Sequence, residues 1–244
     1  MMNQHNGREM DNWWQTPPGQ DLLVSEQTLI KQLNTPLLGY FYLQLGGSES
    51  CLPAAKRPAS HYLLSHSGDV VANPEALPFK SHSIDNMLIL HVLEQARDPH
   101  QLLRETERVL AADGKLILCS FNPFSLWGLR RLFSWQDKAP WDGLFFSQTR
   151  IRDWLALLNF EVVEQHKIFF RPPFKHARWL ERSRFMERWG RRLWPWLGGV
   201  SVMVACKRTI PLTPVRESWR QRRLFPTPGL VNKPLTREHN DATR

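Results

Sequence analysis

Apolar positions along the 244-residue chain fall into short blocks that change period several times. Leu22, Leu23, Ile30 and Leu33 recur near helical spacing, which predicts an amphipathic helix over 21–34 with Asp21 as N-cap, broken at Thr35-Pro36. Ahead of it, residues 1–20 are polar, with Trp13-Trp14 as the bulky apolar pair. Tyr40–Leu45 is rich in aromatics and predicts a strand ending at Gly46-Gly47, and His61–Leu64 and Val70–Ala72 predict two more. Ile84–Val92 is almost unbroken in its hydrophobicity, as in a strand covered on both faces. Asp98-Pro99 opens a helix over His100–Ala112, stopped by Asp113-Gly114. A strand over Lys115–Ser120, a helix over Gln148–Leu158 and a strand over Phe160–Phe170 follow. Arg171–Trp196 reads as a helical stretch dense in Arg and Trp, and Gly199–Cys206 as a last strand. Beyond Arg208, five prolines and frequent arginines without apolar periodicity predict a flexible tail.

Strands alternating with helices imply an α/β fold on a mostly parallel sheet. The expectation is seven strands with helices on both faces and an antiparallel strand near one edge. Pro53 and Pro58 shorten the first crossover helix, and a helical insertion precedes the last strand. The organisation expected is an N-terminal helical extension (1–36), a main domain (37–208) with a basic insertion at 171–197, and a basic tail (209–244).

Charge changes this picture in one respect. The net charge is +9, yet from Arg171 onward there are 17 Lys and Arg against 5 Asp and Glu, a local +12 that leaves −3 for the rest. The basic third is either a solvated surface or a contact for an anionic membrane or nucleic acid. Three widely spaced cysteines, Cys51, Cys119 and Cys206, match neither a disulfide framework nor a metal site, so no metal is expected. Together with a polar N-terminus and no apolar run of spanning length, they point to a reducing cytoplasm, with peripheral contact at the inner membrane surface as a variant.

Ala76–Phe121 carries an ordered series of short signals. They are Leu77-Pro78-Phe79, Ser83-Ile84-Asp85, His91-Val92-Leu93-Glu94, Asp98-Pro99, Arg104-Glu105, Arg108-Val109-Leu110 and Gly114-Lys115-Leu116. Each is weak alone. In this order and spacing the segment resembles the second half of the class I S-adenosylmethionine (SAM)-dependent methyltransferase domain, of the methyltransferase type 11-like kind. The likeness extends less densely over about Leu43–Lys207, and Phe121–Arg130 is similar to a small bacterial branch of that family. The resemblance implies a Rossmann-like fold, SAM as cofactor and methyl transfer to an acceptor. By the same resemblance Gly46, Gly47, Ser65, Asn73, Glu75, Leu77 and His91 would border SAM. Glu94, Asn122 and Trp127 would face the substrate.

The sequence also departs from the family pattern. After the first strand the glycines are adjacent, in Leu45-Gly46-Gly47-Ser48-Glu49-Ser50. The second strand ends in Ser65-His66 where an acidic residue is usual, and Asn73 stands in place of Asp. Three cofactor contacts are weakened together.

His91, at a strand end, is the candidate catalytic base; equally it could only hydrogen-bond the cofactor or a neighbouring strand. Glu94 could polarise the same site or cap a turn. Asn122 could face substrate or serve turn chemistry with Pro123. Trp127, Trp135 and Trp141 could form an aromatic cover over an apolar acceptor or pack the core. Within His176–Trp196, arginines surround Trp179, Met186, Trp189 and Leu193, which suits a solvated helix, a membrane surface or a nucleic acid. Three functions follow. One is a methyltransferase acting on a small or lipid-like acceptor. Another is a methyltransferase-like binding module, with weakened or lost catalysis, that works through its basic C-terminal region. The third is an RNA or protein methyltransferase steered by that basic region.

Overall fold

The computed structural model describes residues 4–33, 35, 37–47, 49–52, 60–65, 68–133, 139–172 and 184–208. Six strands form one sheet: β1 (Phe41–Leu45), β2 (Ser60–Leu64), β3 (Ile84–Leu90), β4 (Leu110–Phe121), β5 (Phe160–Ile168) and β6 (Val200–Lys207). Their order is β2-β1-β3-β4-β6-β5. The first four run parallel, and β6 lies antiparallel between β4 and β5. This is the expected α/β architecture with one strand fewer than expected. The segment read as a third strand, Val70–Ala72, makes only an isolated parallel bridge, Leu64 to Val70. Gly68-Asp69 before it and Asn73-Pro74 after it leave too short a run to build a ladder.

The helices are α1 (Gln4–Trp14), α2 (Pro17–Gln32), α3 (Pro99–Val109), α4 (Leu126–Phe133), α5 (Gln148–Leu157) and α6 (Arg184–Leu193), with a 3₁₀ turn over Pro195–Leu197. Alternation along β3 explains its continuous hydrophobicity. Met87 and Ile89 pack with Leu102, Leu103 and Leu155 of α3 and α5. Leu88 and Leu90 pack on the other face with Trp14, Leu22 and Ile30 of α1 and α2. The N-terminal helices therefore share a core with the sheet. Asp98 caps α3 by accepting from the backbone N–H groups of His100 and Gln101, with Pro99 at the first helical position. This helix ends at Val109, earlier than its pattern suggests, because Leu110 already pairs with Ile84 in the sheet. Residues 53–59, within the segment where a shortened first helix is expected, together with Trp135, residues 173–183 of the Arg/Trp stretch and the tail from 209, lie outside the described residues.

Two corrections concern the N-terminus. Residues 4–14, expected to be polar apart from Trp13-Trp14 and given no helix of their own, form a helix that buries Met10, Trp13 and Trp14. The next helix starts at Pro17, with Thr16 at the N-cap position but making no side-chain capping bond, so Asp21 is interior and not the N-cap. The two helices meet at Gly19, where a Cβ would stand 2.4 Å from the Trp13 carbonyl oxygen. Backbone cannot yield there as a side chain can. Gly19→Ala is expected to lower stability by about 2 kcal/mol in denaturant unfolding, by forcing α1 off α2.

Candidate functional site

The chain leaves β1 for β2 on one side and returns to β3 on the other. The C-terminal ends of β1 and β3 therefore flank a topological switch point, where open parallel sheets bind ligands. Gly46 and Gly47 follow β1 with φ of 78° and 82°. Both lie in the left-handed region, which a side chain would resist. A Cβ on Gly46 would meet the Leu90 carbonyl oxygen at 2.5 Å and Val92 Cγ2 at 2.6 Å, so this turn is pressed against the end of β3. The fully buried Gln44 holds it from within. Its Nε2 donates to the carbonyls of Gly46 (3.0 Å) and Glu49 (2.8 Å), and its Oε1 accepts from the Cys51 N–H (2.9 Å).

His91 stands across the switch point, just beyond β3, with φ of 53°. Its ring is buried between two carboxylates. Nε2 is 2.8 Å from Glu26 Oε1, and Nδ1 is 3.1 Å from Glu94 Oε1. Glu26 comes from α2 and is fully buried; Glu94 Oε1 also accepts the Phe121 N–H at 2.6 Å. Burial alone would lower the His91 pKa, but the charge and hydrogen bond of Glu26, then those of Glu94, outweigh it and raise the pKa to about 9. At neutral pH His91 is an imidazolium donating from both nitrogens, boxed in by the rings of Phe121 (centroids 4.0 Å apart) and Trp14 (5.6 Å). This geometry gives it no free lone pair with which to act as a base. Two oxygens of the cluster, Glu26 Oε2 and Glu94 Oε2, are buried without a hydrogen-bond partner.

The structure distributes the other sequence-predicted residues unevenly. Ser65 follows β2 at the same sheet edge and is partly exposed. Asn73, Glu75 and Leu77 instead pin their own loop to α3. Asn73 Oδ1 accepts from the Glu75 N–H, Glu75 Oε1 from the Asp98 N–H, and the Leu77 N–H donates to Glu105 Oε2, each at 3.0 Å. Leu77 is a core residue. Asn122 and Trp127 are buried rather than open to a substrate. Asn122 Nδ2 donates to the carbonyls of Trp196 and Gly198, both at 2.9 Å. Trp127 stacks on Phe121 and Trp141 and donates to the Arg171 carbonyl (2.9 Å). Glu26 and Gln44 are the members that the sequence reading missed. Gln44 left a signal, a lone polar side chain in an apolar strand two residues before the first glycine.

Among the described residues no group of three or more His, Cys, Asp or Glu could hold a metal ion, and no helix is long and apolar enough to cross a membrane. All three cysteines are free and buried.

Comparison with known proteins agrees with the fold. The family described as Methyltransferase domain matches residues 36–118. YafS of Escherichia coli is 36% identical over 242 residues, covering 96% of this chain and 92% of its own. A SAM-dependent methyltransferase of Thermotoga maritima has a similar fold, with a TM-score of 0.56 at 18% identity, over 76% of this chain and 89% of its own. So does a chain from the Haloferax volcanii complex of a methyltransferase with its activator, at a TM-score of 0.60 and 19% identity, over 84% and 98%.

Proposed function

The chain belongs to the same family as YafS of Escherichia coli and carries a methyltransferase domain over residues 36–118, and we propose that it transfers a methyl group from SAM to a small or lipid-like acceptor. The observation that carries this reading is the junction of the Gly46-Gly47 turn with the Glu26–His91–Glu94 cluster at the switch point of the sheet. Its residues fit the methionine end of SAM. The two adjacent glycines allow close backbone approach, and the orphaned oxygens Glu26 Oε2 and Glu94 Oε2 are acceptors suited to a cationic group. When bound, SAM supplies an electrophilic methyl group on a sulfonium.

The protein's own residues hold and orient. Gln44 fixes the glycine turn, and α1 and α2 cover the junction with Trp14 and Glu26, which excludes water. The protonated His91 holds one oxygen of each carboxylate in place, acting as a positioning residue. With His91 spent in this way, the acceptor favoured is one whose nucleophilic atom needs no strong base at this junction.

A second reading is a methyltransferase-like binding module that works through the basic C-terminal region. It is favoured by one feature, the engagement of Asn73, Glu75 and Leu77 with their own loop on the side where adenine would lie. Calorimetric titration with SAM and with its demethylated product S-adenosylhomocysteine separates the two. The first reading expects both to bind with dissociation constants well below about 1 mM. Failure of both to bind at about that concentration would leave the binding module.

A further inference from the structure

Two segments near the end of β4 leave large apolar side chains in water. One is α4 with the turn before it, where Phe124, Leu129 and Leu132 are exposed, the last at 78%. The other is α6 with its 3₁₀ turn, where Trp189 (59% exposed), Leu193, Trp194 and Trp196 (57%) are exposed. Asn122 joins the two. Its side chain donates to the Trp196 carbonyl and accepts from the Phe124 N–H. The second segment is also strongly cationic, since α6 reads RFMERWGRRL, with four arginines against Glu187. On α4, Arg130 and Arg131 lie over the rings of Trp141 and Phe145.

We propose that this face is a docking surface for an anionic lipid bilayer, with the tryptophans and leucines entering the headgroup–acyl boundary and the arginines meeting acidic headgroups. A soluble surface seldom gathers so many large apolar side chains without a partner. Tryptophan beside arginine is the composition that partitions to a bilayer interface. Charge favours the same partner, because the chain from Arg171 onward is +12 against −3 for the remainder. The leucines decide against a nucleic acid. Bases stack on aromatic rings and phosphates meet cations, but Leu129, Leu132 and Leu193 would find no counterpart there. Acyl chains accept aliphatic and aromatic groups alike.

The position of the surface adds a consequence that rests on the methyltransferase reading. Asn122 follows β4, which runs parallel to β3, so the surface lies at the same sheet edge as Gly46 and His91. A docked molecule turns that edge to the bilayer, and its acceptor is then a lipid-phase molecule.

The test is co-sedimentation of the full chain with vesicles of phosphatidylcholine alone, with vesicles that also contain phosphatidylglycerol, and competition by a single-stranded RNA oligonucleotide. Binding is expected to the phosphatidylglycerol vesicles, to weaken with added salt, and to fall roughly tenfold or more in Trp189→Ser/Trp194→Ser/Trp196→Ser. Leu129→Ser/Leu132→Ser, on the other segment, is expected to weaken it as well. Vesicle binding unchanged in both variants would overturn the proposal. So would binding to RNA in preference to vesicles, lost in the tryptophan variant. S-adenosylhomocysteine titration of the same variants keeps the two readings apart. Vesicle binding without cofactor binding leaves the surface standing and removes the lipid acceptor. Cofactor binding without vesicle binding overturns the surface, and the lipid-phase acceptor with it, and leaves the methyltransferase reading standing.

Discussion

Raising the pH from about 6 to about 8.5 is expected to cost the folded protein about 2 kcal/mol, read as a fall in the denaturant midpoint. The source is His91. Its folded pKa of about 9 lies above the 6.5 of an unperturbed imidazole, so the native state holds the proton more tightly than the unfolded chain does. That stability is complete below the unfolded pKa, declines as the unfolded chain deprotonates, and is gone once the pH passes the folded pKa. Glu26 and Glu94 supply the opposing charge. Burial pushes Tyr42, Cys51 and Cys119 up, so they keep their protons in the native state, and ionisation of the unfolded chain's thiols and phenol adds a separate loss only at higher pH. His91→Gln, which retains hydrogen-bonding capacity without the charge, should flatten the pH dependence. His91→Leu leaves two buried carboxylates facing each other unpaired and should cost about 3–5 kcal/mol near neutral pH. A wild-type profile as flat as that of His91→Gln would show that the cluster is not charged.

The same cluster marks where the sequence could be read and where it could not. β3 and α3 were legible because local chemistry and tertiary role agree there. An unbroken apolar run is what a doubly covered strand requires, and Asp98-Pro99 caps a helix whose apolar stripe faces the sheet. Glu26 was not legible, because a glutamate on an amphipathic helix is read as pointing to water. Its burial depends on His91, 65 residues away, and nothing within its own helix announces that pairing. Asn122 and Trp127 show the opposite case. Their place after a strand end suggested a face open to substrate, yet they knit the end of β4 to the 3₁₀ turn and to Arg171. Helix α1 escaped because its buried anchors, Met10, Trp13 and Trp14, occupy one end of an otherwise polar segment. The third strand failed for a reason of length, with two turn-forming pairs enclosing too few residues.

Gly46→Ala is expected to reduce binding of S-adenosylhomocysteine more than tenfold and to lower stability by about 3 kcal/mol while the protein remains folded. Two costs add at this residue. The φ of 78° places any L side chain in the left-handed region, at about 1–2 kcal/mol. The added methyl would also stand 2.5 Å from the Leu90 carbonyl oxygen, in backbone that belongs to the central strand and has little room to move. Relief comes only if the turn lifts away from β3. That movement weakens the hydrogen bond from the Gly46 N–H to the Leu64 carbonyl (3.0 Å) and the grip of Gln44 on the Gly46 and Glu49 carbonyls. The turn is then displaced from the switch point, so affinity falls along with stability. Gln44→Leu distinguishes the two effects, since it leaves the glycine conformation unstrained and removes only the support from within. It should lose binding at a smaller cost in stability. If Gly46→Ala bound the ligand as tightly as wild type, the glycine turn would not be part of the cofactor site.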